Sequence, residues 1–160
     1  MRRSILMITT SITLLVAGAP GLARVRPEPK TEAGVLSASD AWIAAERLGD
    51  VAGVNARLVD GYVDVESNGK PHTKAELINH TATRKDIWPG TPAQVALAFH
   101  QKYPHISKVV IEGDTAVLSY YPADPKRPAN IIAEDVFTYE HGMWKGIFSS
   151  HFAPPPAPKS

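Results

Sequence analysis

Residues 134–152, EDVFTYEHGMWKGIFSSHF, constrain the fold of this chain more than any other stretch. Two runs rich in Val, Phe, Tyr, Ile and Trp flank Glu140, His141 and Gly142, the pattern by which a chain doubles back into an antiparallel β-hairpin. Gly142 reaches positive φ without the steric cost that a Cβ imposes. The hairpin's apolar positions require a buried face, so the chain must build a sheet and something to cover it.

Upstream, helix signals come first and strand signals afterwards. Ser37 and Ser39 precede a helical stretch in which Ala41, Trp42, Ala45 and Leu48 share a face, and Gly49 closes it. Asp50 caps a short second helix striped by Val51, Val54 and Leu58, and residues 62–66 follow as an alternating strand that turns at Ser67, Asn68 and Gly69. Thr73-Lys74-Ala75-Glu76 is a capping box, predicting a helix over 74–83. Thr91-Pro92-Ala93-Gln94 repeats that logic with proline at the first helical position, and the helix it opens reaches about residue 102 before Pro104 stops it. Strands over 105–112 and 115–121, joined at Gly113-Asp114, and over 130–139 and 143–152 complete an α+β layout with helices on one sheet face.

The N-terminus bears on where the protein works. Arg2 and Arg3 precede an apolar stretch over 5–17 and then small residues, the layout of a signal peptide over 1–23 and of export to the periplasm or beyond. Cleavage takes the 17 basic residues to 15 against 16 acidic ones, so the mature chain carries no basic footprint for nucleic acid and no membrane span. With no cysteine in the chain, its stability must come from the core rather than from disulfides. Residues 24–34, with Pro27 and Pro29 among charges, read as a flexible linker, 35–152 as one domain, and 153–160, APPPAPKS, as a disordered Pro-rich tail.

The order of these motifs resembles the nuclear transport factor 2-like superfamily, which includes SnoaL-like cyclases and ketosteroid isomerases. It is most similar to the bacterial domain of unknown function 4440 branch. The marks are Ala41-Trp42, Gly49-Asp50, Tyr62-Val63-Asp64-Val65 leading to Asn68-Gly69, Thr73-Lys74-Ala75-Glu76, Gly113-Asp114-Thr115-Ala116-Val117 and Gly142-Met143-Trp144-Lys145 ending at Ser150-His151-Phe152. The resemblance implies a strongly curved antiparallel sheet wrapped as a cone around the helices, enclosing a cavity suited to a small apolar or amphipathic ligand. It also implies that the chemistry must be argued from the site, because the same cone hosts enzymes, binding modules and dimerisation domains.

Strand alternation supplies the candidates. Tyr62, Asp64 and Glu66 share one strand face. In a cavity, such a carboxylate would have a raised pKa and could act as a general base; on the outer face the three would simply be solvated. Glu66 precedes Gly69 by the offset that, by resemblance to ketosteroid isomerases, places a catalytic carboxylate at the strand end. Asp135 is the candidate acid from a later strand. His151 is expected on the face of Lys145, Ile147 and Ser149, opposite Trp144 and Phe148, either as a hydrogen-bond donor or proton shuttle or as a structural histidine at the sheet rim. Trp88 is placed to lid the cone, and Tyr120 and Tyr121 point to opposite faces. The ligand-binding set is thus Tyr62, Asp64, Trp88, Tyr120, Asp135 and His151, and the catalytic candidates are Glu66, Asp64 and His151. The outer sheet face is expected to pair with a second copy as a homodimer.

No H-x-x-x-H or H-E-x-x-H pattern, P-loop, G-x-S-x-G or dinucleotide fingerprint occurs, so neither a metal nor a cofactor is expected. The favoured function is a non-catalytic small-molecule binding module. The alternatives are a cofactor-free isomerase, dehydratase or hydrolase, and a purely structural dimerisation module.

Overall fold

Among the described residues, each of the four helices starts at a side chain able to satisfy its orphan backbone donors. Thr31 caps α1 (Glu32–Leu48), Asp50 caps α2 (Val51–Arg57), Thr73 caps α3 (Lys74–Thr83) and Thr91 caps α4 (Pro92–Lys102). Both expected capping boxes form, with Glu76 and Gln94 reaching back to the cap backbone at 2.7 and 2.8 Å. The computed structural model describes residues 27–126 and 130–152; the signal peptide and the Pro-rich tail read from the sequence lie outside them.

Helix α1 begins well before the serines that were expected to open it. Its inward stripe is Val35, Ala38, Trp42 and Ala45, and Ser39 is buried, sharing a 2.9 Å hydrogen bond with the Tyr120 hydroxyl. That serine belongs to the interior and caps nothing.

The expected linker also differs. Residues 27–31 form a strap bound to the terminal hairpin. The Glu28 backbone N–H donates to Gly142 O at 2.8 Å, and the Tyr139 hydroxyl donates to Glu28 O at 2.6 Å. The Glu28 carboxylate accepts from the Trp144 backbone N–H at 2.9 Å and pairs with Arg57, while the Trp144 indole donates to Pro29 O at 3.1 Å. Bonds directed at backbone atoms leave no hydrophobic period, which is why composition alone reads the segment as loose.

Six strands, β1 (Leu58–Val65), β2 (Pro71–Thr73), β3 (His105–Glu112), β4 (Thr115–Pro122), β5 (Ala133–Glu140) and β6 (Met143–His151), form one curved sheet in the order β2-β1-β6-β5-β4-β3. Every pairing is antiparallel as expected except β1 with β6, which is parallel. The hairpin turns at His141 and Gly142, with φ of 51° and 81°, the two-positive-φ geometry that matches strand twist.

One irregularity in β6 matters for the site. Val136 pairs with Phe148 but Phe137 pairs with Gly146, leaving Ile147 as the extra residue of a β-bulge. The bulge resets the alternation, so Trp144, expected opposite His151, lies on the same helix-facing side as Ser149 and His151. Trp144 and Phe137 are fully buried, and Trp42 packs edge-on against Tyr62 and Phe137 with ring centroids 5.4 and 6.3 Å apart.

Candidate functional site

A cavity of about 700 Å³ opens between the inner sheet face, α1, the last turn of α4 and the loop at Ala123 and Asp124. Its size is that of pockets holding compact organic molecules. Ile43, Leu77, Phe99, Ile132 and Ala133 give it apolar walls. Alternation on the sheet places Tyr62 and Asp64 of β1, Tyr120 of β4, Asp135 of β5, and Ser149 and His151 of β6 on the same cavity.

Asp135 anchors the polar part. Its carboxylate accepts from the Tyr120 hydroxyl at 2.8 Å and from the Ser149 hydroxyl at 2.5 Å. Burial raises its pKa above the usual carboxylate range, opposed by those two bonds. Burial likewise pushes the Tyr62 and Tyr120 phenols up, so both remain protonated donors at any ordinary pH.

His151 Nε2 lies 3.4 Å from Asp64 Oδ1. Asp64 raises the imidazole pKa, against the opposing effect of burial. The geometry is that of a charge pair rather than a formed hydrogen bond, because Asp64 Oδ1 is buried and has no hydrogen-bond partner among the described residues. Two further lining residues carry unpartnered buried polar atoms, Trp42 Nε1 and Arg47 Nε. Protein interiors rarely leave such atoms unpaired, and here three of them belong to the walls of one cavity.

Glu46 was not anticipated. It follows Trp42 by one helical turn on α1, lines the cavity, and burial raises its pKa from 4.5 to about 7, opposed chiefly by the charge of Arg47. Its contact with the cavity leaves it only half-buried by surface area, yet protein surrounds the carboxyl closely. The Trp42 indole is near enough to favour the carboxylate without reaching hydrogen-bonding geometry. A charged residue one turn from a core tryptophan was the available signal.

Two expected site residues lie elsewhere. Glu66 sits past the end of β1, pairs with His72 at 2.9 Å and bonds Asn68 at 3.1 Å, so its carboxylate serves the turn and faces away from the cavity. Trp88 does not lid the cone. Its backbone N–H donates to Arg47 O at 2.9 Å, and its ring takes the guanidinium of Arg47 at 5.6 Å, which pins it behind the wall. Among the described residues, no three His, Asp or Glu side chains are grouped to hold a metal ion, and no helix is long and apolar enough to cross a membrane.

No family model matches the chain, and no curated protein does. Among solved structures, an NTF2-like protein from Cytophaga hutchinsonii is similar with a TM-score of 0.52 at 19% identity, over 74% of this chain and 94% of that one. An NTF2-like protein of unknown function from Silicibacter pomeroyi is similar with a TM-score of 0.51 at 12% identity, over 74% and 91%. The chain therefore has the nuclear transport factor 2-like α+β fold that its motif order led us to expect. At these identities the likeness reaches the fold, and neither a branch nor an activity.

Proposed function

We propose that the chain binds a small amphipathic molecule in this cavity, working after export. The apolar body of the ligand lies against Ile43, Leu77, Phe99 and Ile132, and its polar group meets Tyr62, Asp64, Asp135, Ser149 and His151. One observation carries this reading: Tyr62, Asp64, Tyr120, Asp135, Ser149 and His151 converge from four strands on one cavity of about 700 Å³ whose remaining walls are largely apolar. Mass spectrometry of small molecules retained by the natively purified protein, followed by thermal shift with the molecules found, tests the proposal. An empty cavity, together with no shift across a panel of lipids and metabolites, would overturn it.

A second reading is favoured by Glu46 and by the Asp64–His151 pair. A carboxyl with a pKa of about 7 is divided between acid and base at neutral pH, and an imidazolium held by Asp64 can donate a proton. Together they suit a cofactor-free isomerase, dehydratase or hydrolase. Deuterium exchange from solvent into carbonyl compounds, followed by NMR, checks this reading. Exchange lost in both Glu46→Gln and His151→Gln supports it, and exchange no faster than in buffer counts against it.

A further inference from the structure

The cavity has walls of unlike charge. Its sheet side carries Asp64 and Asp135, whereas its helix side carries Arg47 at the end of α1 and Lys102 at the end of α4. Among the described residues neither cation makes an ion pair. Aromatic rings hold both instead. The Arg47 guanidinium lies 5.6 Å from the Trp88 ring centroid and 5.4 Å from that of Phe99, and the Lys102 ammonium lies 5.3 Å from Trp88 and 5.4 Å from Tyr103.

Cation–π contact fixes a cation in place without neutralising it. Cations also suit helix C-termini, which accounts for basic residues at these ends. It does not account for both cations lining one cavity without an ion-pair partner among the described residues, although Glu46 is Arg47's neighbour in sequence. A guanidinium and an ammonium on one cavity lining, each held by aromatic rings and neither in an ion pair among the described residues, form a donor set that recognises an organic anion.

We propose that Arg47 and Lys102 seat the anionic group of the ligand, making the ligand class a compact apolar molecule bearing a carboxylate or sulfonate. This rests on the binding reading above and adds the sign and place of the ligand's charge. Trp88 and Phe99 are positioning residues here, because they orient the guanidinium and do not themselves touch the anion.

The test uses two fluorescent probes of similar shape, anilinonaphthalene sulfonate and the neutral N-phenylnaphthylamine, titrated into the full-length protein at low salt. A charge-assisted contact is worth about tenfold in affinity, so the sulfonate is expected to bind about tenfold tighter than the neutral probe. Lys102→Gln, at an exposed position, should weaken the sulfonate several-fold and leave the neutral probe unchanged; Arg47→Gln should do the same more strongly. Ile43→Trp, which fills the cavity, should weaken both probes. Equal affinities in the unaltered protein, or variants at Arg47 and Lys102 that shift the two probes alike, would overturn the anion seat while leaving cavity binding intact. Failure of both probes to bind, or binding indifferent to Ile43→Trp, would overturn both readings.

Discussion

Glu46 ties one side chain to the stability of the whole protein. Its pKa is raised from 4.5 to about 7, so between those values the folded chain holds a proton that the unfolded chain has released. Stability therefore falls as pH rises from about 4.5 to about 7, by roughly 3 kcal/mol at most. Glu46→Gln removes the titrating group. Urea midpoints at pH 5 and pH 8 should differ less in the variant than in the unaltered protein, and identical pH dependence would show that the carboxyl is not desolvated. The Asp64–His151 pair acts in the same direction at higher pH. Its contribution is fully present below the unfolded histidine value of 6.5 and is lost as pH rises through the higher folded value. In an NMR titration, Asp64→Asn should lower the His151 midpoint; an unmoved midpoint would mean that the pair is not charge-coupled. Alternation alone put Tyr62 and Asp64 on one face and Tyr120 opposite Tyr121, because strand residues of equal parity share a face, but it left open which face is the inner one. Glu46 escaped it because helical charge is ordinarily read as solvated, and Glu66 was misplaced because the strand ends one residue before it.

Among the elements, the strap over residues 27–31 shows how a segment without apolar period becomes structural. It passes so close to the start of α1 that a Cβ on Gly34 would run into the Pro29 carbonyl oxygen, and backbone against backbone leaves no flexible side chain to yield. Gly34→Ala should therefore cost about 1–3 kcal/mol in urea unfolding. A neutral result would mean that the strap detaches freely, and the bonds from Glu28 to the hairpin would then contribute little. The bulge at Ile147 is the other local feature that no period reveals. It turns Trp144 and His151 to the same side, whereas alternation had put them on opposite faces. Helix boundaries set by capping boxes were legible to the residue at α3, because reciprocal side-chain bonds are a local code.

Across the whole molecule, the sheet face away from the helices leaves apolar side chains in water. Ile106 and Val110 of β3 are 60% and 56% exposed, and Phe148 of β6 is 37% exposed. A homodimer formed through this face is the expected assembly, since burying apolar area contributes about 25 cal/mol per Å². Light scattering should give twice the chain mass, and Val110→Lys should reduce it to the monomer; a clean monomer of the unaltered protein at high concentration would exclude the dimer. The order of elements was readable because caps, turns and periods are each written within a few residues. That order is enough to identify an α+β cone. The sequence by itself determined the starts of α2, α3 and α4, the terminal hairpin and which strand residues share a face. Only the tertiary structure decided that Glu46 and Arg47 reach the cavity, that Glu66 and Trp88 do not, and that the strap belongs to the domain. These outcomes depend on curvature, a one-residue bulge and contacts between segments up to 116 positions apart, as between Glu28 and Trp144, and such long-range geometry leaves no periodic trace in the chain.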